Sequence, residues 1–237
     1  KHLSKENKYI VNFYHGKYED GNDVKQHIDE FLKSIPYIHY VLTSSTIIKK
    51  RLITWGIPKK KIILIPIGVN TEIFKPSSLT NKIKFRKKLG FLENEFVIGS
   101  FQKDGVGWGA GLEPKFIKGP DILIEVLKIL SKKIKIRVLL TGPARGFVKN
   151  KLDLNGISYS HVYLNTQESI SDYYNALDLY LVTSREEGGP KGILEGLSSG
   201  IPVASTDVGM ARDLIKNNKN GILLNTYEPK KIAKQIL

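Results

Sequence analysis

Short apolar runs alternate with longer amphipathic stretches along the chain. Runs at Tyr9–Tyr14, Tyr40–Thr43, Ile62–Pro66, Phe96–Phe101, Ile136–Thr141, Val162–Leu164, Leu179–Thr183, Val203–Ser205 and Ile222–Leu224 predict strands. They are rich in Val, Ile, Leu and Tyr and end at Gly, Ser, Thr or Pro. Helices are predicted at Asp23–Ser34, Thr46–Trp55, Lys82–Leu89, Pro120–Lys132, Ser169–Ala176, Pro190–Ser199, Ala211–Asn217 and Pro229–Leu237. Gly119-Pro120 and Gly189-Pro190 each put a proline at a first helical position. Gly56, Gly90 and Gly200 stand where a helix end favours a left-handed residue.

Alternation of β and α predicts an α/β fold, a parallel sheet with helices on both faces. The strands read as continuous apolar runs, as expected when both faces are covered. A break is expected between Val69 and Lys82, where turn residues and Pro76 precede a polar helix start. Residues 76–237 then carry about six strands, enough for a Rossmann-like unit. Residues 1–75 carry three, too few for a doubly wound domain, and read as the tail of a second Rossmann-like domain. The chain opens on lysine and its last helical pattern has no cap, so it reads as a piece of a longer protein.

The 237 residues contain no cysteine, which excludes disulfides, thiolate nucleophiles and thiolate metal sites. The longest apolar run, near Ile62–Ile67, is far short of the ~20 residues of a membrane span. Net charge is +14, and the excess is nearly all lysine, 31 against six arginines. Such a balance favours anionic partners: phosphorylated small molecules, an acidic membrane surface or nucleic acid. Nucleic-acid binders cluster arginine and interleave aromatics. Here the basic residues fall in short runs such as Lys59–Lys61 and Arg86–Lys88, so no nucleic-acid partner is expected.

Candidate chemistry concentrates in two stretches. After the Leu179–Thr183 run comes Ser-Arg-Glu-Glu-Gly-Gly-Pro-Lys, residues 184–191, and then a helix. Two glycines and a proline before a helix leave backbone N–H groups at its positive end, an anion-binding arrangement. On that helix Gly192, Glu195, Gly196 and Ser199 form a stripe of small residues around one carboxylate. Either a ligand approaches there, with Glu195 accepting ribose hydroxyls, or the glycines serve helix packing and Glu195 is solvated. The second stretch, 100–119, carries Gly105, Gly107, Gly109 and Gly111 between Lys103 and Lys118. It reads either as a phosphate cradle or as a surface loop. It matches neither the Walker pattern nor GxGxxG. Arg145, after Thr141-Gly-Pro, meets a phosphate or pairs with an acid. His15, before Gly16 at a strand end, is catalytic or structural. No histidine spacing fits a metal site, and there is no GxSxG elbow for a serine hydrolase.

Glu187 to Glu195 (EGGPKGILE) has the E-x7-E spacing of the GT4 retaining glycosyltransferases of GT-B fold, which the chain resembles. The continuation to Val203, EGLSSGIPV, is similar to that family's LEAMAxGxPV. Residues 44–76 resemble its passage from acceptor domain to donor domain. The resemblance implies an acceptor-side domain tail at 1–75, a donor-binding domain at 76–237, and transfer of a sugar from a nucleoside-diphosphate sugar. The acceptor would be a glycan, lipid-linked or other acceptor, and configuration would be retained. It implies catalytic roles for Glu187 at the sugar and His15 in the cleft. It implies donor binding by Gly188, Gly189, Pro190, Glu195, Lys118 of the family's KG element and Lys103, with Arg145 as a further candidate. The stretch 104–116 between those lysines is longer than the family's pattern. Metal and cofactor are not expected beyond the donor itself. The reading places the protein in the cytoplasm and leaves peripheral association with the inner membrane face open. The alternatives are a non-catalytic nucleotide-sugar-binding module and a basic surface-binding protein.

Overall fold

The computed structural model describes residues 4, 6–164 and 170–237. It forms two compact units. The first is built from Lys1–Ile67 with Glu186–Pro190 and Val208–Asp213, the second from Gly68–Arg185, Lys191–Asp207 and Leu214–Leu237.

In the first unit β1 (Ile10–Asn12), β2 (Tyr40–Thr43) and β3 (Ile62–Leu64) form a parallel sheet in the order 1-2-3. Helices α1 (Asn22–Ser34) and α2 (Thr46–Thr54) connect the strands. Ile28 and Phe31 of α1 and Ile48 and Leu52 of α2 pack with Phe13, Val41 and Ile62 into one core. The i, i+3, i+4 spacing of these residues turns one apolar stripe of each helix inward. Ser45 caps α2 through the Ile48 N–H at 3.3 Å.

The second unit opens with α3 (Leu79–Lys88), capped by Ser78 on the Asn81 N–H. That cap starts the helix three residues before the expected Lys82. The unit then alternates β4 (Phe96–Ser100), α4 (Pro120–Ser131), β5 (Ile136–Thr141), α5 (Gly146–Leu154) and β6 (Tyr159–Val162). It continues with α6 (Ile170–Asn175), β7 (Leu179–Val182), α7 (Lys191–Ser198), β8 (Val203–Thr206), β9 (Gly221–Leu224) and α9 (Pro229–Ile236). Before β9 the short α8 (Ala211–Leu214) spans the end of the last first-unit segment. All pairs of the second sheet are parallel, in the order 6-5-4-7-8-9. The chain therefore reverses its direction of travel between β4 and β7. Such a switch point is where ligands settle, at the carboxyl ends of the strands.

Strand residues alternate between faces. Ile98, Val138, Leu140, Leu179 and Leu181 meet α4, α5 and α9 in the main core. Gly99 and Tyr180 point the other way, toward Leu177 and α7. Both faces of β7 are buried, which explains its unbroken apolar run.

Several expected boundaries move. Helix α5 was not expected; it starts where Gly146 and Phe147 donate their N–H groups to the carbonyls of Ala110 and Gly111, 2.8 Å each. Strand β6 lies at Tyr159–Val162 rather than Val162–Leu164, because its register on β5 pairs Tyr159 with Val138. Helix α8 stops at Leu214 and not Asn217, since the Asn220 side chain donates to the Leu214 carbonyl and accepts from the Lys216 N–H. Helix α7 begins at Lys191, one residue past Pro190. The expected helix start at Ser169 lies outside the described residues. Gly56, Gly90 and Gly200 do take positive φ, at 87°, 73° and 75°. Among the described residues no helix is long and apolar enough to cross a membrane.

Candidate functional site

In the second unit the candidate residues gather at the carboxyl ends of β4 and β7. Gln102 and Lys103 follow β4, Ser184 and Arg185 follow β7, and Lys118-Gly119-Pro120 opens α4. Their backbone is closely tied. Gln102 donates to the Lys118 carbonyl at 2.8 Å, and Ser184 donates to Gln102 at 3.2 Å. Thr183 donates to the Gly119 carbonyl at 2.8 Å. Gly119 has φ +64°, and a Cβ there would overlap the Thr183 carbonyl, so only glycine fits this turn. Arg185 clamps the same turn from the β7 side. It binds Asp121 through two bonds of 2.8 and 2.6 Å and the Phe116 carbonyl at 2.6 Å. Burial works against the Asp121 charge, but the Arg185 guanidinium and backbone N–H groups hold its carboxyl below the usual range. Lys118, half-buried, is thus fixed at the start of α4. The Lys103 ammonium lies over the Trp108 ring, 3.7 Å from its centre.

Glu195 on α7 is buried, not solvated as one of the two sequence readings had it. The Tyr174 hydroxyl donates to its Oε2 at 2.9 Å. Burial raises the Tyr174 phenol well above its ordinary value and pushes Tyr180 up to about 12, so both remain proton donors. The stripe of small residues is the packed face of the helix. A Cβ on Gly192 would overlap the Tyr180 ring, and one on Gly196 would lie 3.2 Å from Val203. Close approach of a ligand is therefore not needed to explain these glycines; the packing alternative does so.

Two expectations for the glycine loop change. Val106 donates to Glu113 and Lys115 to Asp104, which makes 104–115 a short doubled-back excursion. Gly105 and Gly111 lie against the Ala144 backbone, where any Cβ would overlap it. The loop thus meets α5 with the carbonyls of Ala110 and Gly111. Arg145, one of the donor-binding candidates, takes the acid-pairing role of its two readings. It is buried 3.0 Å from Asp104 and donates to the Ser100 and Thr141 carbonyls. Burial pushes the Asp104 carboxyl up to about 6 against the pull of the Arg145 guanidinium.

In the first unit the segment Glu186–Pro190 packs beside the end of β1. Ser44 donates to the Gly188 carbonyl at 3.0 Å. A Cβ on Gly188 would reach the Tyr14 carbonyl, and one on Gly189 would overlap Ile67. Close approach to the Tyr14 backbone, not turn conformation, requires glycine at 188; at Gly189 the neighbour is the end of the Ile67 side chain. Glu187 follows Glu186, whose carboxylate is bound by Arg51 at 2.6 and 3.2 Å. His15 is exposed. Sequence reasoning missed Arg51, Glu186, Tyr174, Asp121 and Arg185, because each acts through a partner at least 21 residues away. Only Arg185 and Glu186, inside the 184–191 stretch, carried any local signal.

Among the described residues no group of His, Cys, Asp and Glu is disposed to hold a metal ion. Three open surface cavities of about 480, 460 and 430 Å³ are walled by lysines such as Lys231, Lys61 and Lys84, and none is lined by a candidate residue.

A family model described as "Glycosyl transferases group 1" matches residues 111–237, more than half of the chain. D-inositol 3-phosphate glycosyltransferase of Xylanimonas cellulosilytica is 24% identical over 187 residues, 74% of this chain and 42% of that protein. The probable sucrose-phosphate synthase of Thermosipho melanesiensis is 29% identical over 187 residues, 74% of this chain and 39% of the relative. Among solved structures, HepE of Anabaena in complex with UDP and glucose superposes with a TM-score of 0.77 at 22% identity. That match covers 97% of this chain and 61% of HepE. The chain thus spans about two fifths of these two curated relatives. Its fold is of the GT-B type seen in the solved ones.

Proposed function

The chain belongs to the group 1 glycosyl transferases, and from that membership we propose that it binds a nucleoside-diphosphate sugar as part of a retaining glycosyltransferase. The acceptor would be a glycan or a lipid-linked hydroxyl compound. The observation that carries this reading is the Lys118-Gly119-Pro120 turn, fixed at the β4/β7 switch point with Lys103 at the end of β4. A diphosphate placed there meets two ammonium groups and a helix N-terminus.

The chemistry follows from charge. As the bond from the anomeric carbon to the diphosphate breaks, negative charge grows on the leaving oxygen. Lys103, Lys118 and the start of α4 oppose that charge from fixed positions, so little reorganisation is needed. Positive charge grows on the sugar ring, and the Glu187 carboxylate stabilises it. Gly188, Gly189 and Pro190 present backbone to the sugar, and His15 contacts it. Glu195, oriented by Tyr174, accepts the ribose hydroxyls. Arg145 supports the glycine loop from inside and does not touch the donor.

UDP, found in the HepE complex, is the first nucleotide to test. Thermal unfolding is followed with UDP, GDP, ADP and their glucose esters. A ligand at ~100 times its dissociation constant adds about 2.7 kcal/mol of stability. A shift with one base that disappears in Glu195→Gln is the expected result. Glutamine still accepts from Tyr174, so the fold persists in that variant. No shift with any nucleotide would overturn the reading.

A further inference from the structure

The Arg51 guanidinium does more than pair with one acid. Its Nη1 lies 2.6 Å from Glu186 Oε1 and 2.8 Å from the Gly16 carbonyl, and its Nη2 lies 3.2 Å from Glu186 Oε2. Glu186 Oε1 also accepts from the Gly16 N–H at 3.4 Å. Both backbone groups of Gly16 are therefore held by this one ion pair. The neighbouring contacts extend it: Gly188 lies against the Tyr14 carbonyl, and Ser44 donates to the Gly188 carbonyl. His15 stands between Tyr14 and Gly16. Glu187 stands between Glu186 and Gly188. The two side chains assigned to the sugar are thus carried on backbone segments fastened to each other by one clamp.

We propose that Arg51 and Glu186 are positioning residues that set the spacing of His15 and Glu187 and so tune recognition of the sugar, not of the nucleotide. The inference rests on the donor-site reading above. Stability alone is a weak reason for such a pair. Glu186 is 7% exposed, and a buried ion pair gains little over well-packed apolar side chains. What apolar side chains do not supply is a planar fork that holds a carboxylate and a carbonyl at fixed angles. The clamp lies within the first unit, whereas the residues assigned to the nucleotide, Lys103, Lys118 and Glu195, belong to the second.

Calorimetry on the full chain gives the dissociation constants of UDP, GDP and ADP and of their glucose and mannose esters. Arg51→Ala is expected to leave the bare nucleotide within about twofold and to weaken the preferred sugar ester about tenfold, as loss of a charge-assisted contact predicts. Arg51→Lys keeps the charge without the fork and should recover part of the loss. Glu186→Gln, which keeps shape and one acceptor, should fall between wild type and Arg51→Ala even if the latter folds poorly. Hydrogen exchange supplies a ligand-free check. Residues 13–18 and 186–190 should exchange faster in Arg51→Ala, with β4 and β5 unchanged. Faster exchange with an unaltered ratio of the two affinities would overturn the positioning role. Unchanged exchange would overturn the clamp itself. Wild-type chain that binds no nucleotide overturns the donor reading, and with it the assignment of the clamp to sugar recognition.

Discussion

Gly119 shows how closely one position can be constrained. Its φ of +64° costs a side-chain-bearing residue about 1–2 kcal/mol, before the overlap with Thr183 is counted. Gly119→Ala should therefore destabilise the chain by about 3 kcal/mol and displace Lys118, measured by urea unfolding and by loss of the nucleotide-induced shift. A full-sized shift in that variant would separate Lys118 from donor binding. Gly188→Ala meets the Tyr14 carbonyl instead, with no φ penalty. Its cost should be about 1–3 kcal/mol, with sugar-ester affinity falling more than nucleotide affinity. Arg145 illustrates the limit of reading one residue. Its place after a strand-end glycine fitted a phosphate contact equally well. What decides its role is Asp104, 41 positions earlier, in a volume closed to water. Lys61 and Arg86 behave likewise. Each sits in a dense basic cluster, yet Lys61 donates to the Ile35 and Ile38 carbonyls and Arg86 to that of Ala176. Part of the basic excess is consumed in closing the chain on itself.

Helix α3 contributes no buried residue of its own and is attached through charge and through the Phe85 ring set edge-on to Tyr173. Lys82 and Arg86, one turn apart, reach Asp178 at 2.9 and 2.6 Å, and Asp178 also accepts the Val97 N–H. Burial opposes the Asp178 charge, but these donors outweigh it and hold the carboxyl below its ordinary 3.8. A carboxyl depressed in the fold adds stability above its unfolded value and loses it as pH falls through the folded one. Wild type should thus exceed Asp178→Asn by about 2 kcal/mol at pH 7, and the difference should begin to shrink below about pH 4 and keep shrinking as the carboxyl protonates in the fold. Denaturation of both proteins from pH 7 to pH 3 checks this, and a constant difference would refute it. Helix α5 is attached in another way. Its first two N–H groups are satisfied by Ala110 and Gly111, so a glycine-rich loop supplies a cap that no local motif encodes. That is why the pattern of apolar positions alone left α5 unassigned.

Strand protection should follow burial through the whole molecule. Val97 to Ser100 of β4 are buried throughout, whereas Ile10 of β1 is 57% exposed. Amides of β4, β5 and β7 should exchange slowest and those of β1 among the fastest of the strands, read by native-state hydrogen exchange. The same burial explains what was legible beforehand. Nine strand runs were readable as apolar segments and all nine are found, with the shift of β6 as the largest error; in β4, β5, β7 and β8 the reason is that covering both faces of a sheet demands apolar residues in succession. The α/β class and the family membership were legible for the same local reasons: strand periodicity, helix punctuation and the E-x7-E spacing of Glu187 and Glu195. Contacts between distant positions were not. The burial of Glu195 under Tyr174, the withdrawal of Arg145 into the core, the cap on α5 and the Arg51–Glu186 clamp each join residues 21 to 135 positions apart. Periodicity and turn chemistry act over a few residues and are written in the chain. Pairing of buried charges depends on which segments the sheet order brings together, and that order appears only once the strands have assembled.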